Sequence, residues 1–259
     1  MNTRVQDAVR PLYKGGTSDV FIHGEGRVLK LLHRRFPRST AELELEITRA
    51  LHAAGLPVPA AYEVVEQDGR CGIVFERVGG GSLLQLVEQK PWRIFWSARL
   101  LAELHARVHR HTAPAELPTQ REQLETWLRK ALDFTPTERR AAEESLALVP
   151  SGNSVCHGDM HPANILLTSR GPVIIDWTSG RRGNPVVDVA RTCVLFESAK
   201  LPPDARWHMH MLLALARQLL HRAYLSRYFR LTGLRADEVV KFLPIQRAAT
   251  SAWRCRKPD

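Results

Sequence analysis

Residues 156–167 read CHGDMHPANILL. A glycine and a proline punctuate a short loop carrying His157, Asp159, His161 and Asn164, after which the chain runs directly into aliphatic residues of strand type. Three readings open from it: a metal site made by His157, Asp159 and His161, a structural loop without chemistry, or a catalytic loop whose carboxylate and amide do separate jobs. The residues that follow bear on the choice. ILLT is succeeded by a turn at Ser169, Arg170, Gly171 and Pro172, then by VIID and Trp177. Pairing of ILLT with VIID as a hairpin puts Asn164 and Asp176 at the same end, with Asp159 beside them on the loop. An amide oxygen and two carboxylates form a ligand set that suits Mg²⁺ completed by phosphate oxygens. The zinc reading needs the loop locally extended, and no fourth ligand announces itself.

The remaining sequence sets the frame. At 259 residues, 44% apolar and 25% charged, the chain can bury one large core or two small ones, enough for a two-lobed enzyme. Cys71, Cys156, Cys193 and Cys255 form no C-x-x-C pair, and MNTRVQDAVR lacks the apolar segment of a secretory signal, so a cytoplasmic location is expected. The longest apolar run, Met211 to Ala216, is far short of the roughly 20 residues that cross a bilayer, and no membrane partner is expected. The net charge of +10 is concentrated: residues 177–259 hold 15 basic against 6 acidic residues, whereas 1–80 and 81–176 are nearly balanced.

Residues 17–32 predict a hairpin around Gly24 and Gly26, with Lys30 inside an apolar run. Ser39 three residues before Glu42 predicts a capping box opening a helix whose Leu43, Ile47, Ala50, Leu51 and Ala54 recur at helical spacing. AYEVVEQ and CGIVFERV predict two more strands joined at Asp68 and Gly69. Beyond Gly81 the pattern turns helical: residues 92–110 with Phe95, Leu101, Leu104 and Val108 on one face, a helix opened by Thr135, Pro136 and Glu138, and further helices over 204–231 and 236–253. Only 155–176 interrupts with strands. The expected fold class is α+β, with a small N-terminal lobe of antiparallel sheet and one helix (1–78), a hinge at 79–82, and a larger mainly helical lobe (83–259).

H-G-D-x-x-x-x-N followed by I-D-W resembles the catalytic loop and metal-binding segment of the aminoglycoside phosphotransferase family, small-molecule kinases that share the bilobal protein-kinase fold. Lys30 in VLKLL, Glu44 on the next helix, FERVGG at the lobe junction and GNPVVDVART match in order, so the likeness spans about residues 12–195. The resemblance implies an Mg-dependent transfer of the γ-phosphoryl group of ATP, or GTP, to a small-molecule hydroxyl. It makes Asp159 the base, Asn164 and Asp176 the Mg²⁺ ligands, and Lys30, positioned by Glu44, the partner of the α- and β-phosphates. The loop Gly15, Gly16, Thr17, Ser18 would bind phosphate through backbone N–H groups, with Asp19 turned away, and the backbone of Glu76 and Val78 would read adenine. KGGTSDVF departs from the G-x-G-x-x-G of protein kinases, which weakens that one assignment.

His157 and His105 are read as loop-bracing residues, and Asp188 as a brace of the catalytic loop through backbone contacts. The basic C-terminal third disfavours a polycationic acceptor. Four other readings stay beside this one: a kinase of antibiotics such as aminoglycosides, a kinase-like binder without turnover, a protein kinase, and a nucleic-acid binder. The segment from Trp177 to Asp188 is short for a protein-substrate platform, and the arginines lack aromatic interleaving for nucleic acid.

Overall fold

A computed structural model describes residues 10–131, 134–198 and 207–254, with side chains to 251. The N-terminal leader reading, Cys255, Asp204, Asp259 and the first residues of the helix expected from 204 lie outside the described residues. Two compact units divide the chain, residues 1–79 and 80–259.

The first unit is built on β1 (Tyr13–Lys14), β2 (Ser18–Ile22), β3 (Arg27–Leu32), α1 (Arg38–Ala53), β4 (Ala61–Gln67) and β5 (Arg70–Glu76), the strands forming one antiparallel sheet in the order β1-β2-β3-β5-β4. Asp68 and Gly69 both take positive φ, the two-residue hairpin geometry that Asp-Gly favours, and so fix the β4–β5 register. Leu29, Leu31 and Val74 pack together as a core cluster. On α1 the buried positions are Ala41, Glu44, Ile47, Thr48 and Leu51, a helical stripe rotated toward Glu44 from the one expected around Leu43 and Ala50. The rotation is tolerated because the Glu44 carboxylate meets an ammonium (below). The capping box expected at Ser39 and Glu42 is absent: the helix begins at Arg38 after Pro37 without a side-chain cap, and Glu42 pairs with Arg38 one turn away.

The second unit contains β6 (Gly81–Ser82), α2 (Leu83–Gln89), α3 (Ile94–His109), α4 (Gln120–Lys130), α5 (Pro136–Ala147), β7 (Ser154–Cys156), β8 (Ile165–Thr168), β9 (Gly171–Ile174), β10 (Arg181–Gly183), α6 (Pro185–Ser198), α7 (Trp207–Thr232), α8 (Ala236–Val240) and α9 (Leu243–Arg254). Two small strands escaped the sequence reading. β6 pairs with β8 and β10 with β7, each too short to show a period. The single helix expected over 236–253 is broken at Lys241 and Phe242 into α8 and α9. On α3, Leu101, Leu104 and Val108 are buried as expected, but Phe95 is 61% exposed; the inward face carries Ser97, His105 and His109 instead.

Thr135 caps α5 as expected, accepting from the Glu138 N–H while the Glu138 carboxylate accepts from the Thr135 N–H. Thr135→Ala should lower the unfolding free energy by about 1 kcal/mol at an unchanged denaturant slope. An unmoved midpoint would show that α5 is held by packing alone.

Candidate active site

The first unit supplies one buried ion pair. Lys30 on β3 is 9% exposed and Glu44 on α1 is 1% exposed, and the Lys30 ammonium donates to both Glu44 carboxylate oxygens at 2.7 and 2.9 Å. Neither charge could be buried alone without a penalty of several kcal/mol. Glu44 is the residue the resemblance pairs with Lys30, and the pairing is direct. Gly15, Gly16 and Thr17 form the turn between β1 and β2, closed by the Gly15 N–H donating to the Ser18 carbonyl at 2.9 Å, while Ser18 opens β2 and is buried. Asp19 is held by Arg70 at 2.8 Å, with His33 nearby. Glu76 ends β5, its N–H donating to the Ala60 carbonyl, and Val78 follows just beyond the strand.

In the second unit the loop 157–164 leaves β7, whose Cys156 pairs with Arg181 on β10. Gly158 takes φ +75°, and a Cβ there would lie 2.5 Å from the Ser179 carbonyl oxygen, so only glycine fits. His157 is buried, its ring 4.4 Å from Trp177. Its Nδ1 accepts the Asp159 N–H and its Nε2 donates to the Ile175 carbonyl, both at 3.1 Å. Burial lowers its pKa against the attraction of Asp159, Asp188 and Asp176, which fits the neutral ring that this bonding requires. With both nitrogens committed, His157 has none left for zinc, and the zinc reading of the loop fails.

Asp159, with a side chain 29% exposed, is flanked by His161 Nε2 at 3.3 Å and by Asn164 Nδ2 at 3.1 Å; the same amide also donates to the Asp159 carbonyl at 2.9 Å. Burial pushes the Asp159 carboxyl up, but the His161 hydrogen bond and the charges of His161 and Arg191 outweigh it and hold the carboxyl well below the usual range. The hairpin forms in the expected register, Ile165 opposite Ile174, and the Ile175 N–H donates to the Asn164 carbonyl at 3.0 Å, placing Asn164 and Asp176 at one end. Asp176 is in the left-handed region at φ +65°, which Asp tolerates better than most residues, and its Oδ1 accepts from Thr178 at 2.9 Å. With the Asn164 amide nitrogen turned to Asp159, its Oδ1 is the atom offered to a ligand. That oxygen and the carboxylates of Asp159 and Asp176 are hard donors that fit a cation such as Mg²⁺.

Behind the loop lies a network only partly read from sequence. Asp188, fully buried on the first turn of α6, accepts the His157 and Gly158 N–H groups at 2.7 and 2.9 Å. It also takes the Nε2 groups of His105 and His109, each at 3.1 Å, on one oxygen. The Nδ1 atoms of these histidines meet the hydroxyls of Tyr224 and Tyr228 on α7 at 2.8 and 2.6 Å. Burial raises the Asp188 pKa, but the two histidine hydrogen bonds and charges carry it well below normal; His105, buried beside His109, is pushed down to about 4. His105, His109 and Asp188 bring their ligand atoms within 4.8 Å of one another, spacing that could hold a metal, yet each of these atoms already has a hydrogen-bond partner. Sequence reading missed His109, Tyr224 and Tyr228, although their i, i+4 spacing on facing helices was visible.

The model of the phosphotransferase enzyme family (APH) matches residues 9–228, and the chain belongs to that family. It is a small-molecule phosphotransferase with a protein-kinase-like fold. Among solved structures it is similar to the aminoglycoside phosphotransferase APH(4)-Ia, with TM-score 0.63 and 17% identity over 95% of this chain and 91% of that one. It is also similar to APH(3'')-Id from Streptomyces rimosus ATCC10970 in complex with ADP and streptomycin (TM-score 0.58, 18% identity, 89% and 90% covered). A third likeness is to choline kinase from Cryptosporidium parvum Iowa II (TM-score 0.57, 15% identity, 95% and 82% covered). No curated protein matches the sequence.

Proposed function

We propose that the protein transfers the γ-phosphoryl group of ATP, or GTP, to a hydroxyl of a small molecule that is not strongly cationic, with Mg²⁺ bound by Asn164 and Asp176. The observation that carries this reading is the placement of Asp159 beside Asn164, at the hairpin end that also bears Asp176. The bound cation would supply charge neutralisation for the phosphates. Asp159 would accept a hydrogen bond from the acceptor hydroxyl, orient it for in-line attack and take its proton. Its depressed pKa makes it a weak base in the ground state, which suits a loose transition state in which the proton leaves late. Asn164 holds that carboxylate through its amide, and Asp188 fixes the loop from behind. In the first unit, Lys30 would hold the α- and β-phosphates, kept extended by Glu44; Gly16, Thr17 and Ser18 would contact phosphate through the backbone, with Gly15, whose N–H is spent on the Ser18 carbonyl, shaping the turn, and the backbone of Glu76 and Val78 would contact adenine.

The acceptor reading rests on the state of the acids. The four described acids in the basic C-terminal third are all engaged: Asp188 in the network, Glu197 with Arg247, Asp237 with the Arg235 guanidinium and Glu238 with the Arg235 N–H. Glu122 and Glu138 in the preceding helices are spent on capping boxes. A polycation drawn to any of these six acids would have to break such a pair, whereas a neutral sugar, nucleoside, amino acid or singly charged amino alcohol would not. Streptomycin beside ADP in a similar fold keeps an aminoglycoside as the second reading.

Lys30→Ala should lower phosphoryl transfer roughly 10²-fold, because one preorganised charge at the phosphates is lost. Unchanged turnover would show that another cation holds the phosphates.

A further inference from the structure

Helix α7 turns Leu220, Tyr224 and Tyr228 inward against α3 and leaves much of its N-terminal half uncovered. Fifteen large hydrophobic side chains are exposed among the described residues, and nine of them lie either at the entry to α3 or on the first half of α7. Trp92, Phe95 and Trp96 form the first group; Met211, Leu212 and Leu215 lead the second, with Trp92 73% and Met211 64% exposed. At 100° per residue, the exposed apolar positions from Met209 to Leu219 fall in an arc of about 160° that begins at the angular position of Arg227. The Arg227 guanidinium is bound to Glu103 on α3, and Glu103 lines a shallow groove with Trp96, Arg99 and Leu100. That ion pair therefore joins the exposed flank of α3 to the exposed arc of α7 on one side of the unit. An apolar concentration of this kind marks a docking surface rather than scattered exposure.

The charge around it is mostly basic. Over its 26 residues α7 carries no acid; Arg222 and Arg230 fall within the exposed arc and Arg227 at its edge, while Arg217 lies on the inward side between Tyr224 and Tyr228. Lys90, Arg93 and Arg99 accompany the aromatic end, with Arg93 over the Trp96 ring. The acid on this flank of α3, Glu103, is already bound by both Arg99 and Arg227. A second copy docking through the same face would bring two acid-free arginine helices together, against like-charge repulsion. An anionic bilayer surface complements the face throughout: headgroup phosphates for the arginines, the acyl boundary for leucine and methionine, and the interface for tryptophan.

We propose that the α3–α7 face docks peripherally on an anionic lipid surface. The contact is interfacial: no helix of the described residues is long and apolar enough to cross a membrane. The sequence expectation of no membrane partner rested on the lack of a spanning segment, which does not bear on surface docking.

The test is co-sedimentation of the full chain with vesicles of phosphatidylcholine alone and of phosphatidylcholine mixed with phosphatidylglycerol, alongside light scattering in solution. The expected result is binding to the anionic vesicles stronger by roughly tenfold or more and weakened by salt. Met211→Ser with Leu215→Ser, and separately Trp92→Ser, should each weaken that binding several-fold while the thermal midpoint shows the variant folded. Equal binding to both vesicles, no binding, or a solution dimer dispersed by the same variants overturns the proposal.

Discussion

Asp159→Asn should lower phosphoryl transfer by roughly 10² to 10⁴ while leaving nucleotide affinity within about twofold. Asparagine keeps the size of the side chain and one oxygen, so it can still accept a hydrogen bond near Asn164 and His161. It cannot take a proton. In the proposed mechanism the lost function lies in the transition state alone, so the fall belongs to kcat and not to the nucleotide KM. Removing the charge also frees His161, whose pKa is raised because the Asp159 hydrogen bond and charge outweigh its burial. Steady-state kinetics beside a nucleotide-binding titration separates the outcomes. Equal loss of nucleotide affinity and turnover would make Asp159 a structural residue, and unchanged turnover would remove it from the base role.

Asp188→Asn should have the largest effect on stability, lowering the unfolding free energy by about 3 kcal/mol or more. The carboxylate is fully buried and accepts four N–H donors: the backbone groups of His157 and Gly158 and the Nε2 groups of His105 and His109. An amide must turn an NH₂ toward some of those donors, leaving them unpaired in the interior. The sign with pH follows from the depressed folded-state pKa: the stabilisation is complete above the unfolded carboxyl pKa of about 4 and is lost only as pH falls toward the much lower folded value. The wild-type advantage should therefore stay constant between about pH 5 and pH 8. Tyr228→Phe removes one hydroxyl from the edge of the same network and should cost about 1 kcal/mol. Denaturant melts of the three proteins check the order, and an Asp188→Asn variant as stable as Tyr228→Phe would show that the carboxylate charge is dispensable to the loop.

Much of this was legible because the chemistry is local. The loop His157 to Asn164, the hairpin and the Asp68–Gly69 turn are each written in a few adjacent residues, and their register follows from turn residues and strand period. Lys30 stood out as an ammonium in an apolar run, and Glu44 followed because Glu46 points to the other side of the helix; setting Glu42 aside as a cap reached the right residue by a premise that fails, since Glu42 pairs with Arg38 instead. What was not legible depends on partners remote in sequence. The face of α3 was misassigned at Phe95 because the true inward face carries His105 and His109, polar residues that are buried only because Asp188 and two tyrosines of α7 satisfy them. The Ser39 cap failed because Pro37 and Arg38 start the helix first, a competition between two local signals that the motif alone does not settle. β6 and β10 are strands only by virtue of the partners they find.

The most direct measurement is ³¹P NMR of the protein with ATP, then GTP, and Mg²⁺ over a panel of sugars, nucleosides, amino acids, choline, macrolides and aminoglycosides, with Asp159→Asn as the control. The account predicts a new phosphate-ester resonance with one uncharged or singly charged acceptor class, accompanied by the nucleoside diphosphate and absent from the control. Nucleotide and Mg²⁺ bound with no ester formed from any acceptor, or an ester formed equally by Asp159→Asn, would contradict it.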